Sequence, residues 1–405
     1  MGRFDHYFLM DEKDILEYIQ YKYDFFPKDS ILDCKEIGDG NLNYVFRVTE
    51  KCTGKSVILK HSGVETRAHS GRMVDVDRNR IEAEILQMQE QLCPGSVPHI
   101  YGYDATMCCC AMEDLKQYTI MRTALLNYRT FPLFSDHITS FLADILVPTS
   151  DIAMDHKQKK RLNKKYINPD LCSITEQLVY DEAVGNFSEK NSVSESLQDF
   201  VNREIYGDMT LRLEAAKLKF DFMEHAQSLL HGDLHSGSIF VTEDSTKIFD
   251  PEFAFYGPAG YDVGNVVAHL LFSYAHAAAE LSEEDSRRKP FLDWCITTIG
   301  QVITLFSSKF TAKFQQTVTD ALAKTPGFSE YYLSGILADT AATAGMELIR
   351  RIVGVAKVKD ITCISDPKKS DDMQKKLLIL AKKLILERNT LQTDAQWIQL
   401  IQEIL

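Results

Sequence analysis

The sequence predicts an α+β fold of two lobes, in which a small antiparallel β lobe with one key helix precedes a larger, mostly helical lobe. Two β-hairpins are indicated between Ile31 and Lys60. Beyond Leu115 the apolar residues recur at helical spacing. A chain of 405 residues is long enough for two domains. We therefore expect the β-rich lobe over residues 1–115 and the helical lobe over residues 116–405.

The first lobe is predicted to be a β-meander with a single helix. The helix is expected over residues 76–92, because Ile81, Ile85 and Met88 share one apolar face. Five strands are expected, at residues 31–37, 44–49, 57–60, 99–103 and 107–112. The main helices of the second lobe are predicted over residues 211–229, 261–280, 291–306, 331–353 and 373–388.

Composition excludes several classes of protein. Hydrophobic residues make up 45% and charged residues 25%, as in globular proteins. Lys and Arg number 45 against 58 Asp and Glu, so a net charge of -13 makes nucleic acid an unexpected partner. The 9 cysteines form no CxxC pair, which favours a reducing cytoplasm. The most apolar stretch, residues 266–279, is too short to span a bilayer, so no membrane segment is expected.

A glycine-rich segment between two predicted strands is the first candidate for a nucleotide site. Gly38, Gly40 and Asn43 belong to a turn whose backbone N–H groups could approach a polyphosphate closely. An ordinary hairpin turn explains the same residues when they are taken alone. Lys60 ends the strand that follows, where a single cation can meet the α and β phosphates. Many lysines at strand ends are only solvated, and the order of loop and lysine favours the nucleotide interpretation.

A carboxylate on the following helix is expected to fix the ammonium group of Lys60. Glu82 and Glu84 are both candidates. We favour Glu82, because Ile85 and Leu86 place it beside the buried face of the helix. Glu84 is then a surface charge.

Two short segments carry the densest chemical signal. Residues 231–238 read His-Gly-Asp-Leu-His-Ser-Gly-Ser, and the chain continues through two predicted strands to Asp250, Pro251 and Glu252. Phosphoryl transfer needs one carboxylate to accept the proton of the attacking hydroxyl and others to hold a metal ion. Asp233 suits the first role, and the acids at 250 and 252 suit the second.

Other interpretations of these residues remain open at this point. Zinc could bind His231 and His235, although the neighbouring glycines argue against a helix and no third ligand is near in the sequence. A paired-carboxylate hydrolase could use the same acids, but it leaves Lys60 without a role. Acids at turns and strand ends can also be purely structural.

The order of these motifs resembles the protein-kinase-like superfamily in its small-molecule branch, which includes aminoglycoside, choline and homoserine kinases. Within that branch, residues 38–46, 231–239 and 250–258 look like the methylthioribose kinases. Ser238 stands where most kinases have a metal-binding asparagine, and Asp-Pro-Glu replaces Asp-Phe-Gly. Methylthioribose kinases share both departures.

The resemblance implies a bilobal protein-kinase-like fold with ATP in the cleft and Mg²⁺ as its ion. Asp233 would orient and deprotonate the substrate hydroxyl. Asp250 and Glu252 would hold Mg²⁺. The remaining nucleotide contacts are expected at the glycine-rich loop with Asn43, at Lys60 and Glu82, at the hinge residues Glu113, Asp114 and Leu115, and at Pro251.

The resemblance also implies the substrate, which is the anomeric 1-hydroxyl of 5-methylthioribose in methionine salvage. Arg350 and Arg351 would reach the sugar and the transferring phosphate, although cations are also favourable at a helix C-terminus. Asp262 would brace the catalytic loop, or simply cap a helix. A cytoplasmic homodimer is expected. A kinase for choline, homoserine or an aminoglycoside and a catalytically silent nucleotide-binding scaffold are the alternatives.

Overall fold

The computed structural model describes residues 2–37, 43–63 and 74–405. By contacts within the chain, it divides into two compact units. The first unit contains Met1–Tyr118 and Lys247–Ala254, and the second contains Thr119–Thr246 and Phe255–Leu405.

The segment Lys247–Ala254 belongs to the first unit because its residues bond there. The N–H of Ile248 donates to the carbonyl of Ser96 at 2.7 Å. The ammonium of Lys247 lies 2.8 Å from Glu113 Oε2. The acids at 250 and 252 are therefore in the first unit, whereas the sequence prediction places them in residues 116–405.

The first unit is built on a five-stranded sheet. Its strands are β1 (Leu32–Glu36), β2 (Asn43–Glu50), β3 (Ser56–Ser62), β4 (Ile100–Asp104) and β5 (Cys109–Glu113). Their order is β1-β2-β3-β5-β4, and every neighbouring pair is antiparallel, as predicted. Lys60 is on the middle strand, opposite Val45 on one side and Cys110 on the other. This position explains why the lysine is only 7% exposed.

Two helices accompany this sheet. Helix α2 (Arg78–Leu92) is the predicted one. Helix α1 (Glu12–Lys22) was not predicted, and it begins at a capping box in which Asp11 accepts from the N–H of Asp14 at 2.9 Å. The buried face of α1 packs with residues of β1, β2, β3 and β5 in one apolar cluster. The core of the first unit therefore includes chain that precedes the sheet.

The second unit is mostly helical, and five short strands complete the described secondary structure. These strands are β6 (Thr119–Ile120), β7 (Ser228–Leu229), β8 (Ile239–Val241), β9 (Thr246–Ile248) and β10 (Tyr256–Gly257). Strand β6 pairs with β8 and strand β7 with β10, both antiparallel. Strand β9 includes the point in the sequence where the chain returns to the first unit.

The long helices agree with the predicted periodicities. The α-helices are α3 (Met121–Leu126), α4 (Phe134–Leu146), α5 (His156–Lys165), α6 (Pro169–Thr175), α7 (Glu182–Gly185), α8 (Glu195–Val201), α9 (Met209–Glu224), α10 (Gly260–Glu280), α11 (Arg288–Thr317), α12 (Phe328–Val353), α13 (Lys359–Thr362), α14 (Pro367–Leu386) and α15 (Asp394–Ile404). Shorter turns of π-helix lie at Glu176–Asp181 and Asn202–Tyr206, and a 3₁₀ turn lies at Arg388–Thr390. The prediction over 211–229 ran past the end of α9, because the chain turns there into strand β7.

Helices α10 and α12 approach each other closely, and this contact positions the second unit's functional residues. A Cβ atom at Gly264 would lie 2.6 Å from the carbonyl oxygen of Thr340. At Gly260 it would lie 2.4 Å from the carbonyl oxygen of Ile336. Only glycine therefore permits this approach of α10 to the backbone of α12.

Among the described residues, no helix combines the length and the apolar character needed to cross a bilayer. Helix α5 carries a run of basic residues that are exposed, namely Lys157, Lys160, Arg161, Lys164 and Lys165. Lys159 is buried, and its ammonium donates to Asp151 and to the carbonyl of Ala226. This run is therefore a solvated helix face.

Candidate active site

A buried ion cluster surrounds Lys60 in the first unit. The ammonium lies 2.7 Å from Glu82 Oε2 and also donates to Asp250 Oδ1. Glu84, the other candidate on α2, instead faces solvent and pairs with Arg80 at 2.8 Å. The structure thus brings Lys60 together with Glu82 rather than Glu84.

Glu252 belongs to the same cluster and is held by two further residues. Asn43 Nδ2 donates to Glu252 Oε2 at 2.7 Å, and Arg78 Nε lies 3.7 Å from the same oxygen. Asn43 is itself fixed by Ser62 Oγ, which donates to Asn43 Oδ1 at 2.8 Å. We call Lys60, Arg78, Glu82, Asp250 and Glu252 the Lys60 cluster.

The backbone at Asp250 is held in an unusual conformation. Its φ of +69° lies in the left-handed region, which non-glycine residues seldom adopt. Such a conformation persists only where the surrounding contacts require it, and it is common at functional sites. The side chain of Asp250 remains 35% exposed, so one face of this carboxylate can accept a ligand.

Charge in the Lys60 cluster is unevenly balanced. Burial raises the pKa of Glu82 above its ordinary value although Lys60 opposes this shift. Burial and the charge of Asp250 raise the pKa of Glu252. Burial disfavours the ammonium of Lys60, yet the surrounding carboxylates outweigh it and raise its pKa. Carboxylates outnumber cations in this cluster, so it can accept a further cation.

The predicted hinge residues lie at the end of β5 and just after it. The Asp114 carboxylate accepts two hydrogen bonds from Arg47, at 2.8 and 3.0 Å, and one from Ser56 Oγ at 2.7 Å. Glu113 pairs with Lys247, and Leu115 is buried. The side chains of Glu113 and Asp114 are thus occupied by protein contacts, and in the backbone the N–H of Glu113 donates to the carbonyl of His99 at 2.8 Å.

In the second unit, a loop between β7 and β8 carries Asp233. The carboxylate of Asp262, in the first turn of α10, accepts from the N–H groups of His231 at 2.6 Å and Gly232 at 3.0 Å. Gly232 has a φ of +84°, which glycine adopts without strain. Asp262 therefore holds the backbone immediately before Asp233.

The tandem arginines of α12 lie beside Asp233. Arg350 Nη2 is 3.7 Å and Arg351 Nη2 is 3.9 Å from Asp233 Oδ1. On the other side, His235 Nε2 lies 3.4 Å from Asp233 Oδ2. The structure thus brings together three residues, from two separate segments, that were predicted to contact the substrate.

The electrostatic environment keeps Asp233 ionised. Burial opposes its negative charge, but the adjacent imidazole of His235 and the positive charges of Arg351 and Arg350 outweigh burial and lower the pKa of Asp233. Burial lowers the pKa of His235 to about 3, so this imidazole is neutral near pH 7. An ionised carboxylate beside two guanidinium groups can accept a proton while an adjacent anion is stabilised.

The chain is closely similar to proteins of known class. Residues 33–288 match the model of the Phosphotransferase enzyme family. A methylthioribose kinase of Geobacillus sp. (strain WCH70) is 37% identical over 372 residues, which cover 92% of this chain and 90% of the relative. A methylthioribose kinase of Bacillus pumilus (strain SAFR-032) is 35% identical over 377 residues, which cover 93% and 92%. The chain belongs to the methylthioribose kinase family.

A solved structure supports the kinase-like fold of this methylthioribose kinase family member. A choline kinase from Cryptosporidium parvum Iowa II has a TM-score of 0.52 and 13% sequence identity. The match covers 96% of this chain and 100% of the choline kinase. At this identity the likeness concerns the fold alone, and it confirms the predicted α+β kinase-like class.

Two of the predicted nucleotide-binding residues, Gly38 and Gly40, lie outside the described residues.

The zinc alternative is not supported in the described part of the chain. His231 and His235 are in a loop rather than on a helix. Within residues 2–37, 43–63 and 74–405, the group of possible metal ligands is elsewhere, at Asp221, His225 and Asp339.

Sequence reasoning missed residues that interact with Asp233 and the tandem arginines. Glu347 forms ion pairs with both tandem arginines. The charge of Arg122 interacts with those of Asp233, Glu347 and Arg351. We call Arg122, Asp233, Glu347, Arg350 and Arg351 the Asp233 cluster. Glu347 could have been found, because on a helix its spacing of three and four residues places it beside both arginines. Arg122 gave no comparable signal.

Proposed function

We propose that this member of the methylthioribose kinase family transfers the γ-phosphoryl group of ATP to the anomeric 1-hydroxyl of 5-methylthioribose. The product is 5-methylthioribose 1-phosphate, an intermediate of methionine salvage. The names of relatives that share more than a third of their residues with this chain support the sugar as substrate. The observation that carries the chemical assignment is an ionised Asp233 in ion-pair range of two arginines.

Asp233 acts as the base of the proposed reaction. A carboxylate orients the sugar hydroxyl by accepting its hydrogen bond and takes its proton as the bond to phosphorus forms. Arg350 and Arg351 neutralise the charge that develops on the transferring group, which is the role of guanidinium groups in phosphoryl transfer. The same pair would repel the quaternary ammonium of choline, which argues against the choline kinase alternative.

The nucleotide is assigned to residues of the first unit. Lys60, oriented by Glu82, binds phosphate oxygens, and the backbone of the loop from Gly38 to Asn43 covers them. The backbone of residues 113–115 meets the adenine edge. Pro251 lies between the two proposed metal ligands and is assigned to the nucleotide site with them.

The residues present also fit Mg²⁺. Asp250 and Glu252 supply hard oxygen donors, and the excess of carboxylates in the Lys60 cluster means that an added cation relieves repulsion. When bound, Mg²⁺ would supply positive charge that neutralises the phosphate oxygens. Asn43 and Arg78 hold the Glu252 carboxylate in place for this role. We further propose that the enzyme works as a cytoplasmic homodimer without nucleic acid or membrane partners.

The experiment that tests the function is a turnover assay over a panel of acceptors. The purified full chain is incubated with ATP, Mg²⁺ and either methylthioribose, choline or homoserine, and product is followed by phosphorus NMR. We expect methylthioribose alone to be phosphorylated, with the new phosphorus signal coupled to the anomeric proton. In parallel, methylthioribose with an ATP analogue and Mg²⁺ should raise the unfolding temperature by mass action.

The same panel can contradict the proposal in two separable ways. Turnover of choline or homoserine in preference to the sugar would replace the substrate but keep the kinase. Nucleotide binding without turnover of any acceptor would favour the silent scaffold. Omission of Mg²⁺ is the internal control, since phosphoryl transfer should then stop.

A further inference from the structure

Glu347 on α12 is almost fully buried, and its carboxylate is engaged at both oxygens. Its side chain is 1% exposed. Oε2 accepts from Arg350 Nε, and Oε1 accepts from Arg351 Nε at 2.8 Å. Burial disfavours this charge, yet Arg350 and Arg351 hold the pKa of Glu347 well below its ordinary value. A buried carboxylate that stays charged between two arginines fixes both guanidinium groups.

The N–H group that each arginine donates to Glu347 determines which of its other N–H groups can face Asp233. Glu347 takes the Nε–H of both side chains, so their Nη groups point elsewhere. The Nη2 atoms are the ones that lie 3.7 Å and 3.9 Å from Asp233 Oδ1. Arg351 is further oriented because its Nη1 donates to the carbonyl of Ala356 at 3.3 Å. Glu347 thus selects which donors of the pair face Asp233.

The same carboxylate is connected to the loop that carries Asp233. His269 on α10 is 2% exposed, and its Nε2 lies 3.1 Å from Glu347 Oε1. Its Nδ1 lies 3.2 Å from the Oγ of Ser236, three residues after Asp233. Burial lowers the pKa of His269 to about 4, so the ring is neutral near pH 7. Because a carboxylate only accepts, the proton must be on Nε2, and Nδ1 accepts from the hydroxyl of Ser236.

We infer that Glu347 is a positioning residue of the active site, which holds the tandem arginines and, through His269 and Ser236, the loop that carries Asp233 in one fixed arrangement. The inference rests on the proposed function, since the arrangement serves the transfer of a phosphoryl group to the substrate hydroxyl. Glu347 does not itself touch the reacting atoms. Its contribution is the geometry of the groups that do, and misplacement of such groups by about 1 Å can cost about 10²-fold in rate.

The test compares Glu347→Gln with a matched buried carboxylate. Glutamine keeps the shape of the side chain, but its NH₂ group must face a donor of Arg350, Arg351 or His269, so one contact is lost. Glu182 is also buried in the second unit, and its carboxylate accepts from the N–H of Ser188 at 3.0 Å. The control is Glu182→Gln.

Three measurements are made on the full-length variants. We expect Glu347→Gln to lower kcat/KM for methylthioribose by about 10²-fold, with KM for ATP nearly unchanged, because the nucleotide contacts are in the first unit. Glu182→Gln should leave both constants near wild type. Labelling with phenylglyoxal, read by peptide mass spectrometry, should show faster modification of Arg350 and Arg351 in Glu347→Gln than in wild type or Glu182→Gln.

The readouts separate this inference from the proposed function. If the wild-type chain does not phosphorylate methylthioribose, the function is wrong, and the arginine labelling still decides whether Glu347 fixes the pair. A folded Glu347→Gln variant with wild-type labelling overturns the inference. So does a variant whose sugar and ATP constants worsen equally and only in proportion to a lower unfolding temperature, because that result describes a purely structural residue.

Discussion

The Lys60 cluster and the Asp233 cluster both combine acidic with basic residues, but they shift the pKa values of their carboxyl groups in opposite directions. In the Lys60 cluster, the pKa values of Glu82 and Glu252 are raised. In the Asp233 cluster, the pKa values of Asp233 and Glu347 are lowered. Glu82, Glu252 and Glu347 are almost fully buried and Asp233 is partly exposed, and burial by itself raises the pKa of a carboxyl group, so burial alone does not explain the difference.

The balance of charge explains it. In the Lys60 cluster two basic residues face three acidic ones, and in the Asp233 cluster three arginines face two acids. A cluster with surplus carboxylate favours a bound cation, and one with surplus guanidinium favours a bound anion. A Mg²⁺ ion and a transferring phosphoryl group are ligands of these opposite signs, which supports the assignment of each cluster in the proposed reaction.

The largest effect is expected when Asp233 is replaced. Asp233→Asn keeps the shape of the side chain but removes the proton acceptor, so kcat should fall on the order of 10³-fold. Nucleotide binding, measured by calorimetry, should change little, because ATP is assigned to the other cluster. Asp244→Asn makes the same change at an exposed position after β8 and is the control. Near-normal turnover by Asp233→Asn would show that Asp233 is not the base.

Removing a proposed metal ligand tests whether the Lys60 cluster binds a cation. Asp250→Asn should raise the Mg²⁺ concentration required for half-maximal rate by about 10- to 100-fold. The measurement is a Mg²⁺ titration of initial rates at saturating ATP, with chelator as the zero point. An unchanged titration curve would mean that the surplus of carboxylate serves the ammonium of Lys60 rather than a metal ion.

A smaller effect should separate the two glutamates of α2. Glu82→Gln removes a buried charged partner of Lys60, and loss of such a bond costs about 1.5–3 kcal/mol, which corresponds to at least about 10-fold in KM for ATP. Glu84→Gln changes a partly exposed pair with Arg80, and about 0–1 kcal/mol is typical for such a pair near the surface. Steady-state kinetics of both variants provide the test. Equal effects would remove Glu82 from the proposed nucleotide site.

Many of the strands and helices that hold the candidate site residues could be predicted, because local sequence patterns indicate them. The alternation of β1 to β3 and the period of α10 and α12 specify the elements on which Lys60, Asp262 and Arg350 stand. The preference for Glu82 over Glu84 followed from the apolar face of one helix. These are properties of short segments, and the family resemblance supplied their order.

The rest depends on contacts between distant segments. Helix α1 does carry a local signal, since its buried residues Ile15, Tyr18 and Ile19 recur at helical spacing, but its place in the core is visible only with the sheet on which it packs. Arg78 and Asn43 are held against Glu252 across long stretches of chain. The link from Glu347 to Ser236 runs through His269, a histidine in an apolar helix that resembles an ordinary core residue until its two partners are known.

The helix contact that supports the Asp233 cluster can be tested by its effect on stability. Gly264→Ala places a methyl group against the carbonyl of Thr340 and should lower the free energy of unfolding by about 1–3 kcal/mol. Gly335 in α12 has open space around it, so Gly335→Ala should raise the free energy of unfolding by about 1 kcal/mol. Chemical denaturation of both variants measures the difference. If Gly264→Ala were as stable as wild type, α10 and α12 would not need this close approach.

The smallest expected change is a shift of the pH profile in the Asp233 cluster. Asp233 must be ionised to accept a proton, and Arg350 helps to hold its pKa below the ordinary value. Arg350→Gln removes that cation, so the pKa of Asp233 should rise and the acid limb of kcat/KM should move to higher pH. Lys309→Gln, which breaks an exposed pair with Asp136, should leave the limb in place. An acid limb that does not move in Arg350→Gln would mean that another group controls it and that the guanidinium surplus does not set the ionisation of Asp233.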